Sequence, residues 1–194
     1  MYVRDAKNRE EVWLLDHIES MGLDETAFRS RDYVVAVDEE SGEKAGFGRI
    51  RVHKPGGAAD VCELTSIGVL EGWRGQGVGA HVVERLVEYA GDEGFDTVYT
   101  LTGEGAYLAR FGFQQIGEAD LPDVLQDRLE AKRDGSDPDA VPLSIDVAEF
   151  GMPERFRKAF KRAPEGRDEA DTEESAEDFG IDPESATYKY DTGR

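Results

Sequence analysis

The feature that most constrains the fold is a glycine-rich turn between a predicted strand and a predicted helix. The strand, Val61–Val69, is rich in β-branched and apolar residues, and the turn Arg74-Gly75-Gln76-Gly77-Val78-Gly79 follows it. Residues 77–91 then place apolar side chains at helical spacing. Glycines let a backbone close on a ligand without Cβ contacts, and the first N–H groups of a helix attract anions. The segment therefore predicts a strand–turn–helix unit that binds a pyrophosphate.

Hydrophobic periodicity places this unit inside a mixed α/β layer. In the strand over 45–53 the alternation of apolar and polar residues slips near Gly48, which predicts a bulge. The predicted strands cover about 1–4, 33–37, 45–53, 61–69, 97–101, 113–116 and 141–147. The predicted helices cover about 8–21, 24–30, 77–91, 105–111, 121–133 and 152–163.

The last part of the chain differs in composition. Residues 152–163 are basic, with Phe156 and Phe160 spaced for one helical face, whereas residues 164–186 contain ten acids and one base. We expect the basic helix to pack on the domain and pair with the acidic tail; a membrane surface or a partner groove is the alternative. The predicted organisation is a domain over 1–148, a basic amphipathic helix over 149–163 and a disordered acidic tail over 164–194.

Charge and cysteine content narrow the function classes. The 43 acidic and 23 basic residues give a net charge of −20, which disfavours nucleic acid and anionic membranes as partners. Dense acid with 16 arginines and seven lysines is typical of proteins from salt-loving organisms, so we expect a halophilic source. Cys62 is the single cysteine, and charges fill the N-terminus, so we expect a cytoplasmic protein without disulfides or a signal peptide.

Two motifs resemble those of the GCN5-related N-acetyltransferase (GNAT) superfamily. Arg74, Gly77 and Gly79 match its Arg/Gln-x-x-Gly-x-Gly/Ala signature, and residues 103–113 resemble its short helix ending in Gly112-Phe113. With the element order, the resemblance covers about residues 1–148. It implies a GNAT fold: a mixed, mostly antiparallel sheet with splayed central parallel strands and helices on both faces. It also implies acetyl-CoA as the co-substrate, with no metal.

Two other interpretations of the glycine turn stay open. Residues 75–80 also satisfy the dinucleotide-binding pattern Gly-x-Gly-x-x-Ala, and Glu104 follows a strand as a candidate ribose-binding acid. Five residues separate Val69 from Gly75, however, whereas a dinucleotide fold runs its strand almost directly into the first glycine. A structural turn without a ligand is the third interpretation.

The resemblance assigns roles within the predicted site. The pantetheine arm would bind the backbone of Ile67 and Val69, and an N–H near Val69 would polarise the thioester carbonyl. Acetyl would pass directly to an amine, so no acyl-enzyme on Cys62 is needed. The predicted cofactor-binding residues are Ile67, Gly68, Val69, Arg74, Gly75, Gln76, Gly77, Val78, Gly79 and Ala80.

Two side chains are candidates for catalysis. Glu63 occupies a position where many members carry a base, although it would also be explained by an ion pair with Arg49 or Arg51 on the neighbouring strand. Members often place the acid, a tyrosine, where this chain has Leu108; Tyr107, one residue earlier, is our candidate acid, and a packing role is the alternative.

The acceptor is the least constrained part of the prediction. The segment Leu108–Phe113 resembles the amino-acid acetyltransferase branch, which includes N-acetylglutamate synthases and often has phenylalanine in place of the tyrosine. We therefore expect a small-molecule amine, and an amino acid fits. A protein Nα- or lysine acetyltransferase and a non-catalytic acyl-CoA sensor are the alternatives, and a homodimer is left open. The segments 21–32 and 118–141 would set the acceptor but carry no motif.

Overall fold

The computed structural model describes residues 1–163, which form one seven-stranded sheet in the order β1-β2-β3-β4-β5-β7-β6. The β4–β5 pair is parallel, and every other neighbouring pair is antiparallel. The predicted mixed sheet is therefore confirmed. Its strands are β1 Tyr2–Asp5, β2 Tyr33–Val37, β3 Lys44–His53, β4 Val61–Val69, β5 Thr97–Thr102, β6 Gln114–Gln115 and β7 Val141–Asp146.

Helices cover both faces of the sheet, so β2 is buried on both sides. Val34 and Ala36 belong to the core that includes the helix after the glycine turn, whereas Val35 and Val37 pack with the first helix of the chain. The helices are α1 Glu11–Ser20, α2 Val78–Asp92, α3 Gly105–Leu108, α4 Asp123–Asp134 and α5 Glu154–Arg162. The apolar residues of α4 pack in a third cluster with Leu101 of β5.

The two central parallel strands separate halfway along their length. β4 and β5 are paired only as far as Leu64 and Thr100, and both strands then continue without pairing to each other. The register between β3 and β4 also shifts where we expected a bulge, next to Gly48. The extra residue lies on β4, because Ser66 and Ile67 together face Gly48, and Ser66 has a positive φ of 50°. This bulge turns β4 away from β5, which opens the sheet.

The predicted helix over 24–30 is wrong. The segment forms turns and irregular chain that lead to a 3-10 turn at Ser30–Asp32. Asp24 accepts a hydrogen bond from the N–H of Thr26 (2.9 Å), as the N-cap of a helix would, but the chain leaves the helical conformation directly afterwards. Ala27 adopts a positive φ of 51°, and the carbonyls of Thr26 and Ala27 accept hydrogen bonds from the guanidinium of Arg49.

The basic helix α5 packs on the domain, as expected. Phe160 is buried in the core cluster that contains α2, and its ring stacks on the His81 ring with 3.8 Å between centroids. Arg157 forms an ion pair with Glu84 of α2 (2.7 Å). The predicted boundary at residue 148 stays a prediction, and the acidic tail lies outside the described residues. Within residues 1–163 no helix combines the length and apolar character that crossing a bilayer requires.

Candidate active site

A cleft of about 1020 Å³ begins where β4 and β5 separate. The unpaired half of β4 forms one wall, and the end of β5 with α3 forms the other. The glycine turn lies at one end of the cleft, together with Arg155 and Phe156 of α5. Asp24, which follows α1, and Lys132 of α4 also line the cleft. The bulged sheet therefore creates a groove that joins the glycine turn to a polar, charged region.

The glycine turn presents free backbone donors. Gly75 and Gly77 both adopt positive φ values, 72° and 74°, which glycine accepts without strain. Within residues 1–163, the N–H groups of residues 75–80 donate no hydrogen bond of good geometry. Three of these are the unpaired donors that begin α2, where the helix dipole is positive. The turn can therefore bind an anion such as a pyrophosphate.

The edge of β4 that faces the cleft can accept an extended ligand. Ile67, Gly68 and Val69 all line the cleft, and β3 pairs only with the opposite edge of β4. Gly68 has no room for a side chain: a Cβ there would lie 2.8 Å from both Met21 Sδ and a ring carbon of Phe47. The unpaired edge of β4 runs from the point where β4 and β5 separate towards the glycine turn.

Tyr107 and Leu108 both line the cleft; Leu108 is buried, and Tyr107 is partly buried against the same core cluster. A Cβ built on Gly79 would lie 3.3 Å from the Tyr107 hydroxyl, so this hydroxyl lies beside the first turn of α2. Burial raises the pKa of the Tyr107 phenol, with Arg110 acting weakly in the opposite direction, so the phenol is protonated at neutral pH. The one-residue offset from the family position therefore still puts a phenol in the cleft.

Glu63 is fully buried and ion-paired. Its carboxylate accepts hydrogen bonds from His53 Nε2 (2.8 Å) and from Arg128 Nε. Burial opposes ionisation, but the bonds from His53 and Arg128 outweigh it and hold the pKa of the Glu63 carboxyl below its ordinary value. Of the two sequence interpretations, this geometry favours the ion pair. The partner is Arg128 of α4, and neither Arg49 nor Arg51 forms an ion pair with Glu63.

Two residues of the site that were not predicted from the sequence, Arg128 and Lys132, lie one helical turn apart on α4. Arg128 bridges Glu63 and Asp24. The Lys132 ammonium donates to Thr65 Oγ1 (3.2 Å) and to the Leu101 carbonyl (2.9 Å), so it joins β4 to β5 immediately after their pairing ends.

Burial lowers the pKa of the Lys132 ammonium, although Glu63 acts in the opposite direction. The signal for both residues was present in the sequence. Two cations, Arg128 and Lys132, follow the spacing of the apolar residues Leu125 and Leu129 on a helix that buries one face.

Arg49, which the sequence offered as a partner of Glu63, has a structural role, and the chain's three histidines form no metal site. Arg49 is only 1% exposed and holds the carbonyls of Thr26 and Ala27, so it does not face the cleft. His17 Nδ1 and His81 Nδ1 lie near the carbonyls of Trp13 and Gly77, and His53 Nε2 bonds to Glu63. In residues 1–163, no three histidine, cysteine, aspartate or glutamate side chains are grouped to hold a metal ion.

Solved structures share this fold, and two of the three described next are complexes with coenzyme A. N-acetylglutamate synthase from Neisseria gonorrhoeae, complexed with coenzyme A and N-acetyl-glutamate, is 19% identical (TM-score 0.58; 75% of this chain, 34% of that chain). The protein Rv2747 from Mycobacterium tuberculosis, in complex with CoA, is 19% identical (TM-score 0.61; 75% and 99%). A putative arylalkylamine N-acetyltransferase from the mosquito Aedes aegypti is 14% identical (TM-score 0.54; 75% and 86%). The matched part of this chain corresponds to about a third of the synthase.

The sequence itself matches a family model. Residues 3–113 match the model described as the acetyltransferase (GNAT) family. This range contains the split strands, the glycine turn and Gly112-Phe113, and it makes the dinucleotide interpretation of the turn unnecessary. The parallel β4–β5 pair also stands alone in the described sheet, whereas a dinucleotide fold winds several parallel strands. The chain therefore belongs to the GNAT family of acetyltransferases.

Proposed function

We propose that this N-acetyltransferase moves an acetyl group from acetyl-CoA directly to the amine of a small, polar molecule, with amino acids as the leading class. The observation that carries the proposal is the continuous cleft from the free N–H groups of the glycine turn to the charged region around Lys132. The cleft is large enough for a cofactor-sized ligand and a small acceptor. Acetyl-CoA supplies the activated acyl group.

The donor end of the cleft fits coenzyme A. The N–H groups of residues 75–80 would bind the pyrophosphate, and the open edge of β4 at Ile67 and Val69 would pair with the amides of the pantetheine arm. We propose that a backbone N–H near Val69 stabilises the negative charge that develops on the thioester oxygen during transfer.

Tyr107 is the proposed proton donor to the departing thiolate. Its phenol lines the cleft and has a raised pKa, so it carries the proton that a general acid must give. Tyr107→Phe keeps the ring packing against Phe111 and Phe156 but removes the hydroxyl. We expect kcat to fall about tenfold or more with little change in the free energy of unfolding. Unchanged kcat would assign the ring to packing alone.

We propose that Glu63 positions Arg128 and Lys132 and that the acceptor loses its proton to water in the cleft. A carboxylate with no exposed surface and a lowered pKa is a poor proton acceptor at neutral pH. Glu63→Gln tests the original base hypothesis. A base predicts loss of the acidic limb of the pH–rate profile, whereas positioning predicts a lower rate with that limb preserved.

The acceptor region contains charges of both signs. Asp24 and Lys132 line the cleft beside Thr65 and Ser136, so an ammonium and a carboxylate on one small molecule would each meet an opposite charge. Both groups already have partners within the protein, because Asp24 pairs with Arg128 and the Lys132 ammonium lies 3.8 Å from the Glu63 carboxylate; their side chains keep 14% and 12% exposure. The relative that binds N-acetyl-glutamate supports an amino-acid acceptor, at the level of fold alone.

Release of free thiol from acetyl-CoA over an amine panel tests the proposal. The panel would contain amino acids, their amides, arylalkylamines, and peptides with a free N-terminus or lysine. We expect turnover with amino acids and a higher KM for the amides; Lys132→Met should remove that difference. Preference for peptides would favour the protein acetyltransferase, and binding of acetyl-CoA without turnover of any amine would favour the sensor.

A further inference from the structure

Helix α5 lies directly against the glycine turn. A Cβ built on Gly77 would lie 2.5 Å from the carbonyl oxygen of Phe156 and 3.2 Å from the backbone nitrogen of Phe160. The Phe156 ring contacts Tyr107 edge-on, with 6.1 Å between ring centroids, so α5 also touches α3 across the mouth of the cleft. α5 lies outside residues 3–113, which the family model matches.

Three arginines line this end of the cleft: Arg74 of the turn, Arg110 after α3, and Arg155 of α5. All three are exposed, and none forms an ion pair with a carboxylate among residues 1–163. Exposed arginines gathered in one cleft attract an anionic ligand, and here they lie in a protein whose net charge is −20. Among the acidic residues that line the cleft, Glu104 is the nearest in sequence to any of these arginines, and its side chain is exposed.

Two of the three guanidinium groups rest on aromatic rings. Arg155 Cζ lies 4.7 Å from the centroid of the Phe156 ring, and Arg110 Cζ lies 5.9 Å from that of the Tyr107 ring. Such contacts restrict the side chains and orient their N–H groups before a ligand arrives. Coenzyme A carries a 3′-phosphate as well as its pyrophosphate, so its nucleotide end offers an arginine two separate phosphate groups to bind.

We propose that Arg155 of α5 binds a phosphate of coenzyme A, so that a helix beyond the family-matched segment completes the cofactor site. The close packing of α5 on Gly77 places this arginine beside the donor end of the cleft. The inference rests on the proposed cofactor site and adds a residue that the glycine motif does not predict. A solvated surface cation is the alternative, and it predicts no effect of Arg155 on cofactor binding.

The test measures the Kd of CoA, 3′-dephospho-CoA and pantetheine by calorimetry for the full chain and for two variants, Arg155→Ala and Arg162→Ala. Arg162 is the matched control, because it is an exposed arginine two turns later on α5 that does not line the cleft. We expect Arg155→Ala to raise the Kd of CoA about tenfold and Arg162→Ala to leave it unchanged.

The three ligands identify the phosphate. If Arg155 binds the 3′-phosphate, its effect disappears with 3′-dephospho-CoA; if it binds the pyrophosphate, the effect persists with 3′-dephospho-CoA and disappears with pantetheine. Either result supports the proposal. An unchanged Kd for CoA, or an equal rise for all three ligands, overturns it. Failure of the unaltered protein to bind CoA would instead reject the cofactor site itself. Urea unfolding of Arg155→Ala and Arg155→Lys checks that folding is retained, and the lysine variant should recover part of the affinity.

Discussion

Substitution of Gly77 tests how α5 is held on the turn, and Gly75 provides an internal control. The two glycines have nearly the same backbone conformation, with φ of 74° and 72°. Alanine in this left-handed region costs about 1 kcal/mol at either position. The surroundings differ: a Cβ on Gly75 meets nothing within 4 Å, whereas a Cβ on Gly77 would overlap the backbone of Phe156 at 2.5 Å.

The alanine Cβ at residue 77 would overlap backbone atoms of α5, so no side-chain rotation can relieve the overlap. α5 must move away, and the buried Phe160 then loses its contacts with His81 and the core. Exposing a phenylalanine costs about 2 kcal/mol, so Gly77→Ala should lower the free energy of unfolding by about 3 kcal/mol and Gly75→Ala by about 1 kcal/mol. The effect of alanine on the unfolded chain is the same at both sites and cancels in the comparison.

Urea unfolding followed by circular dichroism measures both free energies. In thermal unfolding, the Tm should fall by about 9 °C for Gly77→Ala and about 3 °C for Gly75→Ala. Phe160→Ala and the double variant Gly77→Ala/Phe160→Ala complete a cycle. Because the first change already releases α5, the two costs should be less than additive. Equal destabilisation by the two glycine substitutions would refute the contact between α5 and Gly77.

Three further predictions concern groups outside the cleft or at its edge. Hydrogen bonds from Arg4 hold the pKa of Glu10 at about 2, against an ordinary 4.5. The ion pair should therefore contribute up to about 3 kcal/mol to the free energy of unfolding above pH 4.5, and this contribution is lost as the pH falls towards 2. Glu10→Gln should flatten that part of the stability–pH curve. An unchanged curve would count against the ion pair. Burial raises the pKa of the Cys62 thiol to about 12, so a thiol reagent at pH 8 should react with it only in urea, and rapid native labelling would contradict its burial. Arg49→Met leaves the carbonyl of Thr26 without its 2.7 Å donor, so we expect the free energy of unfolding to fall by about 2 kcal/mol and residues 23–29 to be cleaved faster by a protease. Unchanged proteolysis would mean that Arg49 does not hold this segment.

Local patterns determined the parts of the fold that depend on neighbours in sequence. The strand–glycine turn–helix unit was predictable because φ preferences, free helix donors and hydrophobic periodicity are properties of contiguous residues. The bulge next to Gly48 was visible as a slip in alternation, although the extra residue belongs to the partner strand at Ser66. The helix over 24–30 failed for the opposite reason: Arg49, more than 20 residues away, takes the carbonyls that a helix would have used.

Tertiary structure alone decided which charges meet in the site. The sequence placed Glu63 on a strand beside two arginines, but packing of α4 brought Arg128 to it across 65 residues. Likewise, the sequence identified a basic amphipathic helix, and only its docking against Gly77 put Arg155 at the cleft. The physical reason is that spacing along a chain specifies which face a side chain occupies, whereas its partner depends on how distant elements pack. The glycine turn and the Gly112-Phe113 motif together therefore indicated acetyl-CoA from the sequence, and the packing of α4 and α5 places further charges along the cleft.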